Sequence, residues 1–286
     1  MLKANSNYRS TRFPSWLRQA VRSDPEIEAT KKLISELRLN TVCQDSRCPN
    51  IYNCFSKKKC TFLILGRHCA RNCGFCCIEN NKGIFQPPDK DELLRIREAV
   101  KRLGARKIVI TSVTRDDLED GGAGHFADCI NILRETNPEL KIEVLVPDFQ
   151  GRAESVETVI AARPDIFSHN VETVPRLYAD VRPMSDYKRS LSVIRNAKKK
   201  AQDTDIKSGF MVGLGETEAE VYSVIEDLRR SGCDIVTIGQ YLRPDSKCLE
   251  VKEFVTPEKF ERFSEQARKM GFKEYSSSPF TRSSYI

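Results

Sequence analysis

The sequence predicts an α/β chain: a partial, open (β/α)6 barrel with an N-terminal extension and a short C-terminal tail. Three observations predict it. Short apolar runs alternate with amphipathic stretches from Thr61 onward. The 286 residues, 40% apolar and 30% charged, suit one barrel-sized domain with appendages better than two equal domains. Cysteines crowd before and directly after the first apolar run, and barrels of this class carry their chemistry at the C-terminal ends of the strands.

Residues 1–59 read as an irregular extension with one helix, roughly Pro25 to Leu37, on Ile27, Leu33, Ile34 and Leu37. The barrel is placed at 60–275. Its strand candidates are 61–66, 107–112, 141–146, 165–169, 206–212 and 234–239. Between them, 91–103 sets Leu93, Leu94, Ile96, Val100 and Leu103 near helical spacing, and 217–230 does so with Val221, Val224, Ile225 and Leu228. Such alternation implies a parallel sheet covered on its outer face. Residues 276–286 form the tail. There is no 20–50-residue repeat and no low-complexity tract.

Composition narrows the function. No apolar run approaches the roughly 18 residues of a membrane span, and the N-terminus has no signal-peptide core, so a cytoplasmic protein is expected. Eleven cysteines in such a chain are not a disulfide framework, because the cytosol keeps thiols reduced. Eight of them fall between Cys43 and Cys77, a density that points to metal. The net charge is +7, and Lys3, Arg9, Arg12, Arg18 and Arg22 precede the first acid, Asp24. That balance favours an acidic partner.

The sharpest motif is C-A-R-N-C-G-F-C, giving Cys69, Cys73 and Cys76 just after the first strand candidate. Three thiolates hold three irons of a cubane and leave the fourth open to chelate a small molecule. Upstream, C-Q-D-S-R-C-P-N-I-Y-N-C gives Cys43, Cys48 and Cys54. Its four- and five-residue gaps lie at and beyond the upper end of the usual paired zinc spacing of about two to four residues, so a second iron–sulfur cluster is the better reading. Its fourth iron needs a ligand from elsewhere.

A C-x3-C-x2-C run after a first strand resembles the radical S-adenosylmethionine (SAM) superfamily. Preceded by C-x4-C-x5-C, it is similar to the lipoyl synthases. The likeness runs nearly the whole chain: T-V-C-Q-D-S-R-C-P-N-I, I-T-S-V-T-R-D-D-L-E-D-G-G-A, V-L-V-P-D-F-Q-G, H-N-V-E-T-V, K-S-G-F-M-V-G-L-G-E-T, G-Q-Y-L-R-P and R-S-S-Y. The resemblance implies a radical SAM barrel, two 4Fe–4S clusters and SAM. It implies sulfur insertion at two carbons of a protein-bound octanoyl chain, with the cluster of Cys43, Cys48 and Cys54 consumed as sulfur donor. Cys69, Cys73 and Cys76 would then be catalytic. The implied partners are an octanoylated lipoyl carrier domain (2-oxoacid dehydrogenase E2 chain or glycine-cleavage H protein), an electron donor such as ferredoxin or flavodoxin, and a cluster-assembly carrier. Neither nucleic acid nor membrane is expected.

By the same resemblance Thr111 and Ser112 reach the methionyl amino group and M-V-G-L-G-E (211–216) lies near adenine. Glu172, with Asn170, is a candidate for the ribose hydroxyls, and the fork of Arg182 for the methionyl carboxylate. The family uses a serine of R-S-S-Y as the missing ligand. Ser283 and Ser284 both qualify, and Ser284 is favoured. Arg115, Asp116 and Asp117 position substrate or cap a helix beginning near His125. His68 is an outer group beside Cys69, and His125 and His169 are structural.

Three cysteines depart from the family pattern. Cys60 and Cys77 replace small non-thiol residues, and Cys248 stands where His is expected. Cys77 is read as a buried apolar side chain. The alternatives are another two-cluster radical SAM enzyme, such as a methylthiotransferase or maturase, and a zinc module binding nucleic acid.

Overall fold

The structure, a computed structural model, describes residues 13–19, 24–80 and 85–284. The basic positions Lys3, Arg9, Arg12 and Arg22, and Tyr285 of R-S-S-Y, lie outside these.

The extension holds α1 (Pro25–Glu36), β1 (Asn40–Thr41), α2 (Val42–Asp45) and α3 (Ile51–Phe55). Asp24 starts α1 by accepting from the Glu26 N–H at 2.9 Å, with Pro25 in the first turn where no donor is missed. The two short helices were not legible as elements. Each is a single turn held by tertiary contacts rather than by a periodic face.

From Thr61 the chain alternates. The order is β2 (Thr61–Ile64), α4 (Asp91–Leu103), β3 (Lys107–Ser112), α5 (Ala123–Thr136), β4 (Lys141–Leu145), α6 (Ala153–Ala161) and β5 (Ile166–Ser168). Then come α7 (Tyr178–Val181), α8 (Tyr187–Lys200), β6 (Asp205–Val212), α9 (Glu218–Arg230), β7 (Ile235–Gln240), α10 (Pro257–Lys269) and β8 (Glu274–Ser278). All six expected strands are present. They lie in one eight-stranded sheet in sequence order, parallel from β2 to β8, with β1 antiparallel to β2 at the edge.

Strand β8 was not expected. E-Y-S-S-S carries no apolar alternation, because its Ser276 and Ser278 hydroxyls face the Thr281 hydroxyl at 2.9 Å rather than a greasy core. The strand runs through residue 275.

The strands alternate faces. Outward, Ile110, Ile142, Val144, Ile206 and Val236 are buried beneath the helices, each contributing about 1.5–3 kcal/mol of apolar burial. Inward positions include Lys107, Val109 and Thr111 of β3, and Thr237 and Gly239 of β7, which line cavities. Local signals fix the helices. Gly104 ends α4 at φ +61°, and Thr217 with Glu220 forms a reciprocal cap on α9. No helix among the described residues is long and apolar enough to cross a membrane.

Candidate active site

The loop after β2 brings Cys69, Cys73 and Cys76 to the wall of one cavity of about 330 Å³. The loop is pinned at both ends. Ala70 N–H donates to Thr114 O at 2.8 Å, and Gly74 N–H to Val181 O at 2.9 Å. Gly74 must be glycine, since a Cβ there would lie 2.8 Å from Asp180 O and 2.9 Å from Leu249 Cδ1. Cys69 Sγ accepts from the backbone N–H of Thr114 at 3.3 Å and of Arg71 at 3.5 Å. Such donors favour an anionic sulfur.

The same cavity gathers Thr111, Ser112, Asn170, Glu172 and Arg182, at or just beyond the C-terminal ends of β3 and β5. Thr111 spends its hydroxyl proton on Leu145 O at 2.8 Å, so only its oxygen lone pair faces a ligand. Ser112 Oγ, Arg182 Nε and His169 Nε2 are buried without a hydrogen-bond partner among the described residues. Orphaned polar atoms around one cavity fit a polar guest, as the amino and carboxylate groups of SAM would be. Arg182 is further held by Asn170 O at 3.0 Å and lies over the Tyr178 ring at 5.6 Å. Glu172 takes φ +65°, unusual for a non-glycine, and is clamped by Glu172 N–H to Gly209 O and Met211 N–H to Glu172 O. Burial raises its carboxyl, opposed by Arg182.

His169 makes the structural hydrogen bond expected of it and also lines this cavity. Its Nδ1 lies 2.9 Å from Val146 O, which fixes that proton and turns Nε2 toward the cavity. Burial, with the nearby Arg182 charge, pushes it down to about 4, so it is neutral. His125 is structural, 3.1 Å from Glu92, and His68 lies by Glu79.

Cys43 (α2), Cys48 (the turn) and Cys54 (α3) line a second cavity of about 310 Å³. It sits toward the opposite ends of the strands, against Thr61 and Lys107, the first residues of β2 and β3, with the exposed Lys57 and Lys59 at its edge. Burial pushes Cys43 up to about 12 and Cys54 up to about 11, with Lys59 and Lys57 easing the latter. Cys76 in the first cavity also reaches about 12 through burial. These thiols suit a bound cation that compensates their thiolates. All eleven cysteines are free. Among the described residues no three His, Cys, Asp or Glu side chains close around a single ion; the two triplets surround spaces instead. Wide cavities ringed by thiols fit clusters.

The tail reaches both cavities. Val42, Cys48, Arg282 and Ser284 line each of them. Ser283 lines only the first, and its hydroxyl donates to Asn170 Oδ1 at 2.7 Å.

Other expectations need correction. Cys77 is half-buried and lines the first cavity, its thiol donating to Asp45 O at 3.3 Å, so it is not a simple apolar residue. The glycines of M-V-G-L-G-E stay outside that cavity and only Met211 lines it, because Glu216 folds back onto the Gly213 and Leu214 N–H groups. Asp116 pairs with Arg71, and Asp117 with Arg115 at 2.7 Å; the helix start is served by Asp120, which accepts from Gly122 and Gly124 N–H. Cys60 lines the second cavity beside the triplet there.

Reading the sequence missed Arg71. Buried behind Cys69, it grips Asp116 at 2.8 and 2.9 Å and Asp148 at 2.6 Å, while Arg189 holds the other Asp148 oxygen. Burial raises the Asp148 carboxyl, but the Arg71 hydrogen bond and charge outweigh it and hold it well below the usual range.

A model of the Radical SAM superfamily matches residues 63–228. Lipoyl synthases of Caldicellulosiruptor saccharolyticus and Caldanaerobacter subterraneus are 53% and 51% identical over 276 residues, 96% of this chain and 96% of each relative. That of Alkaliphilus metalliredigens is 49% identical over 96% of this chain and 94% of its own. Among solved structures, methylornithine synthase superimposes with TM-score 0.55 at 14% identity, covering 88% of this chain and 84% of that one. A maturase of the FeFe-hydrogenase gives 0.57 at 13%, covering 88% and 70%. These two show the barrel fold alone, whereas the sequence relatives settle the family. The chain belongs to the radical SAM superfamily and, within it, to the lipoyl synthases.

Proposed function

We propose that this chain inserts two sulfur atoms into an octanoyl group carried on a protein, with a cluster in the second cavity as sulfur source. The observation that carries this reading is the wall shared by the two cavities, formed by Val42, Cys48, Arg282 and Ser284. Groups held on the two sides of that wall by these residues would be neighbours.

In this reading residues 1–59 carry the donor cluster, 60–275 the radical machinery and 276–286 the tail. Cys69, Cys73 and Cys76 hold one cluster with an iron left open. Cys43, Cys48 and Cys54 hold the other, and Ser284 supplies its fourth ligand. When bound, the first cluster and SAM supply an adenosyl radical able to take hydrogen from an unactivated methylene, which no acid or base can do.

The chain's own residues orient and enclose. The Ser112 hydroxyl and the free Arg182 Nε edge receive the charged amino-acid head of SAM. Asn170 and Glu172, joined at 3.0 Å, face the ribose. His169 offers an acceptor that stays uncharged at neutral pH. Thr114 and Arg71 N–H groups hold the Cys69 sulfur in place. The net charge of +7 favours an acidic carrier domain, an encounter that salt would slow.

The reductant is a one-electron donor of the ferredoxin or flavodoxin kind, and a cluster-assembly carrier restores the spent site. The test is mass spectrometry of an octanoylated carrier domain after anaerobic incubation with reductant and SAM. Two added sulfurs per carrier are expected. Cleavage of SAM without any sulfur gain overturns the reading.

A further inference from the structure

Lys207 lies in the inward row of β6 and is 1% exposed, as is Glu143 on β4. Neither lines either cavity. Lys207 Nζ meets Glu143 Oε1 at 2.8 Å, and Ser168 donates to that same oxygen at 3.0 Å. A second Nζ proton goes to the carbonyl oxygen of Ser283. Burying such a pair is costly and by itself is a weak source of stability. What it provides is a charged donor at a fixed point inside the barrel, aimed at the tail.

The surroundings are cut to the same tail. A Cβ on Gly239 would lie 2.1 Å from Thr281 O, and one on Gly209 would lie 2.7 Å from Ser283 Oγ. Two strand-interior glycines therefore make room for Thr281 to Ser284. Thr281 is tied to Ser276 and Ser278, and Ser283 to Asn170 and, at 3.3 Å, Thr237. The Ser283 carbonyl belongs to the planar peptide whose nitrogen is that of Ser284, so gripping this oxygen sets where Ser284 stands.

We infer that Lys207, itself set by Glu143, is a positioning residue that holds the Ser283–Ser284 peptide so that the Ser284 hydroxyl stays at the wall of the second cavity. This rests on the reading of Ser284 as ligand. The ammonium touches neither cluster nor substrate; it acts through one backbone carbonyl. Asn170 ties the same tail to Glu172, so seating of the tail and shape of the first cavity share one side chain.

The test uses the full-length chain as wild type, Ser284→Ala, Lys207→Met and the double variant Lys207→Met/Glu143→Leu. The double variant removes both buried charges and keeps the fold where the single variant does not. In the metal-free chain, hydrogen exchange of the peptide 279–286 is expected to speed up in both Lys207 variants. After reconstitution with 57Fe, Mössbauer spectra should lose the serine-ligated iron as in Ser284→Ala. Loss of iron from the second site to a chelator should quicken roughly ten- to a hundredfold. SAM cleavage at the first cluster, assayed at saturating SAM, should remain, which a general loss of structure would not allow. If Ser284→Ala leaves the iron signature unchanged, the ligand reading fails. If Ser284→Ala changes it while both Lys207 variants keep wild-type spectra and tail exchange, the positioning role is overturned.

Discussion

Ser283 donates its hydroxyl to Asn170 Oδ1 at 2.7 Å, a bond its neighbour Ser284 does not share. Ser283 lines the first cavity alone, and Ser284 lines both. Replacing Ser283 by Ala removes a bond worth about 1 kcal/mol and frees Asn170 from its place beside Glu172. SAM affinity should fall about fivefold in equilibrium dialysis, with the iron of the second cluster unaltered. A change confined to that iron would reverse the two roles.

Arg71 is the counter-charge of a fully buried Asp148. Arg71→Met leaves that carboxylate unneutralised on its main side and should cost roughly 3–5 kcal/mol in urea unfolding. Because the folded carboxyl titrates below its unfolded value of about 3.9, its stabilisation is complete above that pH and drains away as pH falls below it. The acid limb of wild-type stability should therefore be steep there, and shallower in the variant. Identical limbs would remove Asp148 from the account.

His169 titrates at about 4 in the folded chain against about 6.5 unfolded. The unfolded state binds the proton first, so stability is full above about pH 6.5 and falls as pH drops toward 4. The ring resonances of His169 in the metal-free protein should stay those of neutral imidazole down to about pH 4. His169→Gln should flatten the stability profile between those two values. A midpoint near 6.5 in the NMR titration would refute the buried, uncharged ring.

Gly74 leaves no room for a side chain between Asp180 O and Leu249. Gly74→Ala should shift the Cys73–Cys76 turn and spare the other triplet. Reconstituted protein is then expected to bind about four irons rather than about eight, with SAM cleavage lost. Full iron content would show that the loop relaxes without harm.

The two cysteine runs were legible because their spacing is local, and the six strands because each is a short apolar run. Strand β8 was hidden by its serines, of which Ser276 and Ser278 face the tail and Ser277 donates to Phe260 O of α10. The charged pairs were hidden for another reason. Arg71 meets Asp148 77 residues away, and Lys207 meets Glu143 64 residues away. A lone Arg or Lys in a sequence looks like solvated surface until the barrel closes around it. His169 makes the structural bond expected of it, but its place on the cavity wall was hidden because only the fold brings it beside Ser112 and Arg182. The stretch 211–216 meets the first cavity only through Met211, since Glu216 accepts from the Gly213 and Leu214 N–H groups.

The cavities touch through a wall but meet solvent at different ends of the strands, one near Arg47 and Pro244, the other near Lys57, Lys59 and Lys107. If the lysine end holds the donor cluster as proposed, a protein delivering iron and sulfide there would not displace a ligand held in the other cavity. On the proposed function, replenishment and turnover would use separate doorways into a single barrel, and a visitor at one would leave the other clear.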